Sequence, residues 1–317
     1  MRFVFVVCMG LGVTVAQAQE FPAKTMRLVV PYAPGGPTDV VARILSQRWA
    51  ERWGQPVIVD NRAGGNGVIG AEFVARSPAD GYTLLLGNTS VLTINPVVFP
   101  RLTYDAEKQF APVTLSVAAP LILVVHPSTT VSSVAQLIAL AKSRTGALTY
   151  ASAGTGGVAN MSGELLKIMA KIDMVHVPYK GAGPAVTDLV AGQVAMTFTS
   201  TVSVMPFVKQ GRLRGLAVTT PRRAPTLPEI PAIAETVPGY DVSPWYGVLA
   251  PAGTPAAVIQ KVHAETVRII ATPEVAQRLS FDGGTVVNST PEAFAVTLRE
   301  ERAKWARVVR EARIRLE

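Results

Sequence analysis

Cysteine occurs once in this 317-residue chain, at Cys8, and histidine only at His126, His176 and His263. One thiol cannot build a disulfide framework, and three histidines at unrelated spacings make no metal-ligand pattern. Stability must therefore come from burial, and neither a metal nor a cofactor is expected. Charge is also scarce, at 16% of residues against a usual figure of about 25%. Hydrophobic residues reach 49%, a globular composition. Beyond the first residues no apolar run approaches the roughly 18 that a membrane-spanning helix needs. Neither a G-x-S-x-G elbow nor a Walker sequence is present, so no catalytic residue is assigned and the chain is not expected to be an enzyme.

What the chain does have begins at its first residues. Arg2, the apolar run Phe3 to Val15 and then Ala16-Gln17-Ala18 give the charged start, short hydrophobic core and small-x-small exit of a secretory leader. Residues 1–18 are read as a signal peptide cleaved after Ala18, too short to hold as a membrane anchor. Cys8 leaves with it, so the mature chain is expected to carry no thiol and to be exported and soluble. The remainder exceeds what one ordinary core holds, which points to two domains.

The formal net charge of +8 raises the question of a nucleic-acid partner. Much of the excess sits in Arg299, Arg302, Lys304, Arg307, Arg310, Arg313 and Arg315, interleaved with Glu300, Glu301 and Glu311. Apolar Phe294, Leu298, Trp305, Val308 and Val309 recur there at helical spacing, so the charges form the solvated face of a packed helix. No nucleic-acid partner is expected.

Short runs rich in β-branched or aliphatic residues recur along the chain: Met26 to Tyr32, Pro56 to Asp60, Thr83 to Leu86, Leu121 to Val125, Leu148 to Ala151, Met174 to Pro178, Val194 to Thr197, Leu213 to Val218 and Tyr246 to Ala250. Helical patterns lie between several of them. Thr38 precedes one, Ser133-x-x-Gln136 opens another, and Thr254-Pro255, Thr272-Pro273 and Thr290-Pro291 each place a capping hydroxyl before a first-turn proline. Such alternation implies α/β layers with mostly parallel sheets, whose ligands bind beyond the carboxyl ends of the strands. That position is taken three times by one pattern, a strand, a loop of glycine and small hydroxyl residues, then a helix: Val29 to Asp39, Tyr150 to Gly157 and Val177 to Pro184. Glycine permits close backbone approach and positive φ, and the helix that follows presents N–H groups carrying partial positive charge. A loop of this kind suits a small carboxylate. Gly65-Asn66-Gly67-Val68-Ile69-Gly70 fits the dinucleotide pattern G-x-G-x-x-G, but Leu86-Gly87-Asn88 closes the next strand without the acid a ribose needs, so a simple turn into a helix suffices.

The succession PYAPGGPTD, GQPVIVDNRAGGNGVIGAEFVA, PADGYTLLLGN, INPVVFPRLTYD, FAPVTL, LTYASAGTGG, VHVPYKGAGPAVTDLVAGQV, LRGLAVTTPRR, LPEIPAIAE and PWYGVLAPAGTP resembles the substrate-binding proteins of tripartite tricarboxylate transporters, the Bug family, from about Phe21 to the C-terminus. The resemblance implies a two-lobed, type II periplasmic clamp, each lobe a mixed, mostly parallel sheet flanked by helices. The first lobe is expected over 21–122 and 248–317 and the second over 123–247. It further implies a periplasmic solute-binding protein that captures a small organic carboxylate in the interlobe cleft and delivers it to membrane permease subunits. The protein is expected to work as a monomer. Other readings are a sensing protein that presents its bound form to a kinase and a carboxylate-ester hydrolase. Carried onto this chain, the binding loops fall on Ala33 to Asp39 and Ser152 to Gly157. Gly35, Gly36, Thr38, Thr155 and Gly156 are the first candidates, with Asp39 and Ser152 in the same loops. Asn88, Thr89, Tyr179, Lys180 and Gly181 come second. The chain departs from the family at Asn160, where histidine is common, and at Phe198-Thr199-Ser200, where many members read Phe-Asp-Asn. A neutral Thr199 in place of the aspartate points to a ligand with carboxylates and no ammonium group.

Overall fold

The computed structural model describes residues 21–280 and 283–314; the leader read over 1–18, with Cys8, lies outside them. The first half-sheet forms from β1 (Met26–Val30), α1 (Pro37–Trp53), β2 (Val57–Asn61), α2 (Val68–Ala75) and β3 (Thr83–Asn88). A π-helical turn over Ser90–Ile94 runs into α3 (Asn95–Val98), and β4 (Phe110–Ala118) follows. The chain then builds a second sheet from β5 (Leu121–Val125), α4 (Val134–Ser143), β6 (Thr149–Ser152), α5 (Val158–Ala170), β7 (Val175–Pro178), α6 (Ala182–Val190), β8 (Met196–Ser200), α7 (Thr201–Lys209) and β9 (Arg214–Val218). It returns through β10 (Trp245–Pro251), α8 (Ala256–Ile270), α9 (Pro273–Leu279), β11 (Thr285–Val286) and α10 (Pro291–Glu311).

The strand orders are β11-β4-β10-β3-β1-β2 and β7-β6-β8-β5-β9. Both sheets are mixed with one dominant direction: β10 and β11 run against β1 to β4, and β5 runs against β6 to β9. The inner strands are apolar and buried on both faces, the pattern expected where parallel strands are sandwiched between helices, while the edge strands β2 and β7 stay partly exposed. Leu28 and Val30 enter one core cluster while Val29 enters the opposite one, and Leu123 and Val125 part from Ile122 and Val124 in the same way. Burial on this scale, at roughly 1.5–3 kcal/mol for each large apolar side chain, replaces the missing cross-links.

Two crossovers join the sheets. The chain leaves the first sheet at Ala118 and enters the second at Leu121, and it returns between Thr219 and Trp245. The Ala119 N–H donates to Pro244 O at 2.8 Å, so the two crossing segments lie side by side. Thr219 ties the second crossing down, its hydroxyl accepting from Leu121 N–H and its carbonyl from Val242 N–H, each at 2.9 Å. Because β10 starts beside the end of β3, and β5 starts beside the end of β8, the crossovers lie at the carboxyl edge of both sheets. α10 spans the junction: Phe294 and Leu298 pack with the first sheet, Trp305 and Val308 with the second.

Local start signals fare unevenly. Ser133 and Thr290 cap α4 and α10 by accepting from Gln136 and Ala293 N–H. Thr254 and Thr272 instead turn their hydroxyls back onto Pro251 and Ile269 carbonyls, and α1 starts at Pro37 with Gly36 as its cap, which leaves Thr38 inside the first turn. The G-x-G-x-x-G stretch is a turn: Gly65–Gly67 is a short 3-10 segment, Asn66 Nδ2 donates to Asn95 Oδ1 while Asn95 Nδ2 donates to the Asn66 backbone carbonyl, and a Cβ on Gly70 would strike Pro31.

Candidate functional site

The first two glycine loops are built to one plan. In each, the last residue before the cap is a glycine at positive φ, Gly35 at 88° and Gly156 at 75°. The caps, Gly36 and Gly157, share an extended geometry of φ −80°, ψ 170° and φ −77°, ψ 162°. At the third helical position a polar side chain folds back: Asp39 Oδ2 accepts from Gly35 N–H and Asn160 Oδ1 from Gly156 N–H, both at 2.9 Å. The first rungs inside the helices run from Val40 to Gly36 and from Met161 to Gly157, each 3.0 Å. The amides of Thr38 and Asp39 on α1, and of Val158, Ala159 and Asn160 on α5, therefore lie ahead of the hydrogen-bond ladder and point beyond the helix end. Pro37 has no N–H to offer where Val158 has one.

The two locks differ in charge. Asp39, 3% exposed, also accepts from Arg43 Nε at 2.8 Å and from Asn61 Nδ2 at 2.9 Å. Burial raises its pKa, but the bonds from Arg43, Gly35 and Asn61 outweigh that and hold it below the ordinary carboxylate value. Asn160, 2% exposed, is neutral and donates to Tyr150 Oη at 2.8 Å. Ser152 pins the second loop at its other bend, its Oγ bonding both Gly154 O and Gly154 N–H and lying 2.6 Å from His176 Nε2. Burial holds the His176 imidazole below its usual pKa, hence neutral near pH 7.

The remaining candidates sit on the same carboxyl edges. Asn88 ends β3, its Oδ1 accepting from Val91 N–H and Tyr32 Oη. Burial pushes the Tyr32 phenol up to about 12 despite the bonds to Asn88 and Ser90. Thr89 is buried and spends its hydroxyl on Trp245 N–H at 3.0 Å, a clasp between the end of β3 and the start of β10. Thr199, 6% exposed, lies one residue before the end of β8, opposite Ile122. Tyr179 donates to Asp188 on α6, which with burial raises its pKa. Lys180 is exposed, and an added Cβ on Gly181 would meet nothing within 4 Å.

Of the sequence candidates, Thr38, Gly156 and Thr199 are buried and Asn88 spends its Oδ1 on Tyr32 and Val91; the others divide in two. Asp39, Thr89, Ser152, Asn160 and Tyr179 use their polar atoms to shape the loops, while Gly35, Gly36, Thr155, Lys180 and Gly181 face outward at least in part. Asn61, Arg43, Tyr150, Glu164 and His176 hold the loops and escaped the sequence reading: strand pairing brings in Asn61 and sets His176 beside Tyr150, Arg43 reaches Asp39 one turn along α1, and Glu164 meets Tyr150 from α5. A groove of about 750 Å³ lined by Arg27, Ile58, Arg62, Phe73 and Tyr82 lies at the far edge of the first sheet. It contains none of these residues, and hydrogen-bond geometry marks the loops more strongly than cavity size does. Among the described residues no three of His, Cys, Asp or Glu gather as a metal site, and no helix is long and apolar enough to cross a membrane.

The family described as "Tripartite tricarboxylate transporter family receptor" matches residues 41–314. Protein BugT of Bordetella pertussis is 35% identical over 99% of this chain and 96% of its own length. Among solved structures, R. palustris Rpa4515 with adipate superposes with a TM-score of 0.84 at 35% identity, covering 93% of this chain and 99% of that one. MatC from Rhodopseudomonas palustris with bound malate gives 0.79 at 33% identity over 91% and 100%.

Proposed function

The chain belongs to the tripartite tricarboxylate transporter family of receptors, and from that membership we propose that it captures a small organic carboxylate between its two sheets and delivers it to a permease of the tripartite tricarboxylate type. The two sheets act as the lobes of a periplasmic clamp hinged at Ala119 and Pro244. The observation that carries the reading is the matched pair of loops at the carboxyl edges beside that hinge, each ending in helix-start N–H groups suited to an anion. Gly35 and Gly156 shape the turns, and Gly36, Thr38, Thr155 and the first amides of α1 and α5 meet the ligand directly or through water. Asn88 and Lys180 flank them. The adipate and malate named with the two structural neighbours are carboxylates of this kind.

The ligand carries no ammonium group. A buried ammonium needs a carboxylate partner; Thr199 is neutral, and Asp39 is already committed to Arg43, Asn61 and Gly35. A hydrolase reading draws on one observation, the 2.6 Å contact between Ser152 and His176. Ser152 is 1% exposed and held at both sides of Gly154, the setting of a loop anchor, so no turnover of a chromogenic ester is expected.

A thermal-shift screen of mono-, di- and tricarboxylates and amino acids tests the reading. A cognate acid at a hundred times its dissociation constant adds about 2.7 kcal/mol, and the melting temperature rises without consumption of the acid. No shift across the whole set would remove the receptor reading.

A further inference from the structure

Building on the receptor reading, we infer that Glu164 and Tyr150, two buried residues behind the second loop, are positioning residues for ligand capture, because they turn Asn160 so that its carboxamide oxygen faces the Gly156 N–H. The chain of bonds runs one way. Tyr150 Oη donates to Glu164 Oε1 and accepts from Asn160 Nδ2, which leaves Asn160 Oδ1 for Gly156. A carboxylate only accepts, so it fixes the phenol proton, and the phenol lone pair then selects the nitrogen side of the amide. Tyr150, Asn160 and Glu164 are 0%, 2% and 6% exposed. Burial and the neighbouring Glu164 raise the phenol's pKa, so it stays a donor.

The comparison between the loops explains why such a relay exists. Asp39 has two equivalent oxygens, and either orientation accepts from Gly35. A carboxamide has one accepting and one donating side, and the wrong side would set an N–H against the Gly156 N–H. Lys167 balances the Glu164 charge at 3.2 Å, and the neutral His176 ring stacks on Tyr150 at 4.9 Å and 28° while holding Ser152. Both bends of the loop thus lead back to one ring. α5 is cut away to admit it, since a Cβ on Gly163 would collide with the Tyr150 ring.

Amide hydrogen exchange at Gly156, measured against Gly35 in the same molecule, tests the relay in the wild type and in Glu164→Leu, Tyr150→Phe and Glu164→Gln. The leucine and phenylalanine variants should lose at least tenfold of Gly156 protection relative to Gly35. Glu164→Gln, whose carboxamide has a donating side as well as an accepting one to turn toward the phenol, should fall between the wild type and Glu164→Leu. Adipate or malate, where the wild type binds it, should bind at least tenfold more weakly to the first two variants. An unchanged ratio of the two amides in all variants overturns the relay, and so does a rise in both amides together, which marks lost stability alone. If no acid binds the wild type while Gly156 responds as expected, the receptor reading falls and the relay stands.

Discussion

At the scale of single residues, two side chains at equivalent helix positions do equivalent work with different charge. Asp39 closes the first loop by satisfying Gly35 N–H, Arg43 and Asn61 at once. Asp39→Ala should cost about 1–3 kcal/mol, the range for leaving such donors without a partner, measured by denaturant unfolding near neutral pH. The sign of the pH effect follows from the lowered pKa of Asp39 in the fold. Its contribution is complete above the ordinary value of 3.8 and is lost as pH falls through the folded value. The gap between wild type and Asp39→Ala should therefore narrow below about pH 4; a gap that stays constant with pH would mean that the aspartate's charge is not what stabilises the loop.

At the scale of elements, the returning crossover is fastened locally. A short 3-10 turn over Ile233–Glu235 lies in it, and Glu235 accepts from Ala232 N–H and takes both Arg223 Nε and Nη2. These bonds bring the Glu235 pKa down from 4.5 to about 2. A depressed acid stabilises above its unfolded pKa and loses that contribution as pH falls toward its folded one. The wild-type melting temperature should accordingly drop more steeply than that of Glu235→Gln between about pH 4.5 and pH 2, as scanning calorimetry would show. Parallel curves would assign the pair no part in acid stability. The C-terminal helix fastens the same crossover from the other side, with Glu301 accepting from the Trp245 indole at 2.8 Å and Lys304 lying 3.4 Å from Asp241 O.

At the scale of the whole molecule, the arrangement of two sheets joined by two adjacent crossovers allows closure about one line. If a carboxylate is gripped from both sides, saturation with the acid found by the thermal screen should reduce the radius of gyration in small-angle scattering. An unchanged radius at saturation would place the ligand on one lobe alone. The basic excess on α10 does not bear on this motion. Arg302 and Arg307 meet Glu107 and Glu311, and the apolar stripe of that helix is buried across both sheets.

The α/β class, most strands and the glycine loops are legible in the residues alone, because periodicity and glycine are local signals. They did not disclose β4, where Pro112 interrupts the pattern and is accommodated opposite Leu249 beside a register shift. Nor did they disclose the two-residue β11. The loops were legible and their supports were not. Asn61 reaches Asp39 only because β2 lies beside β1 with Val30 opposite Asn61, and His176 covers Tyr150 only because β7 pairs with β6 in that register. Only the assembled sheets show which polar atoms are spent on the protein and which stay exposed, since that division depends on strands meeting across long stretches of chain.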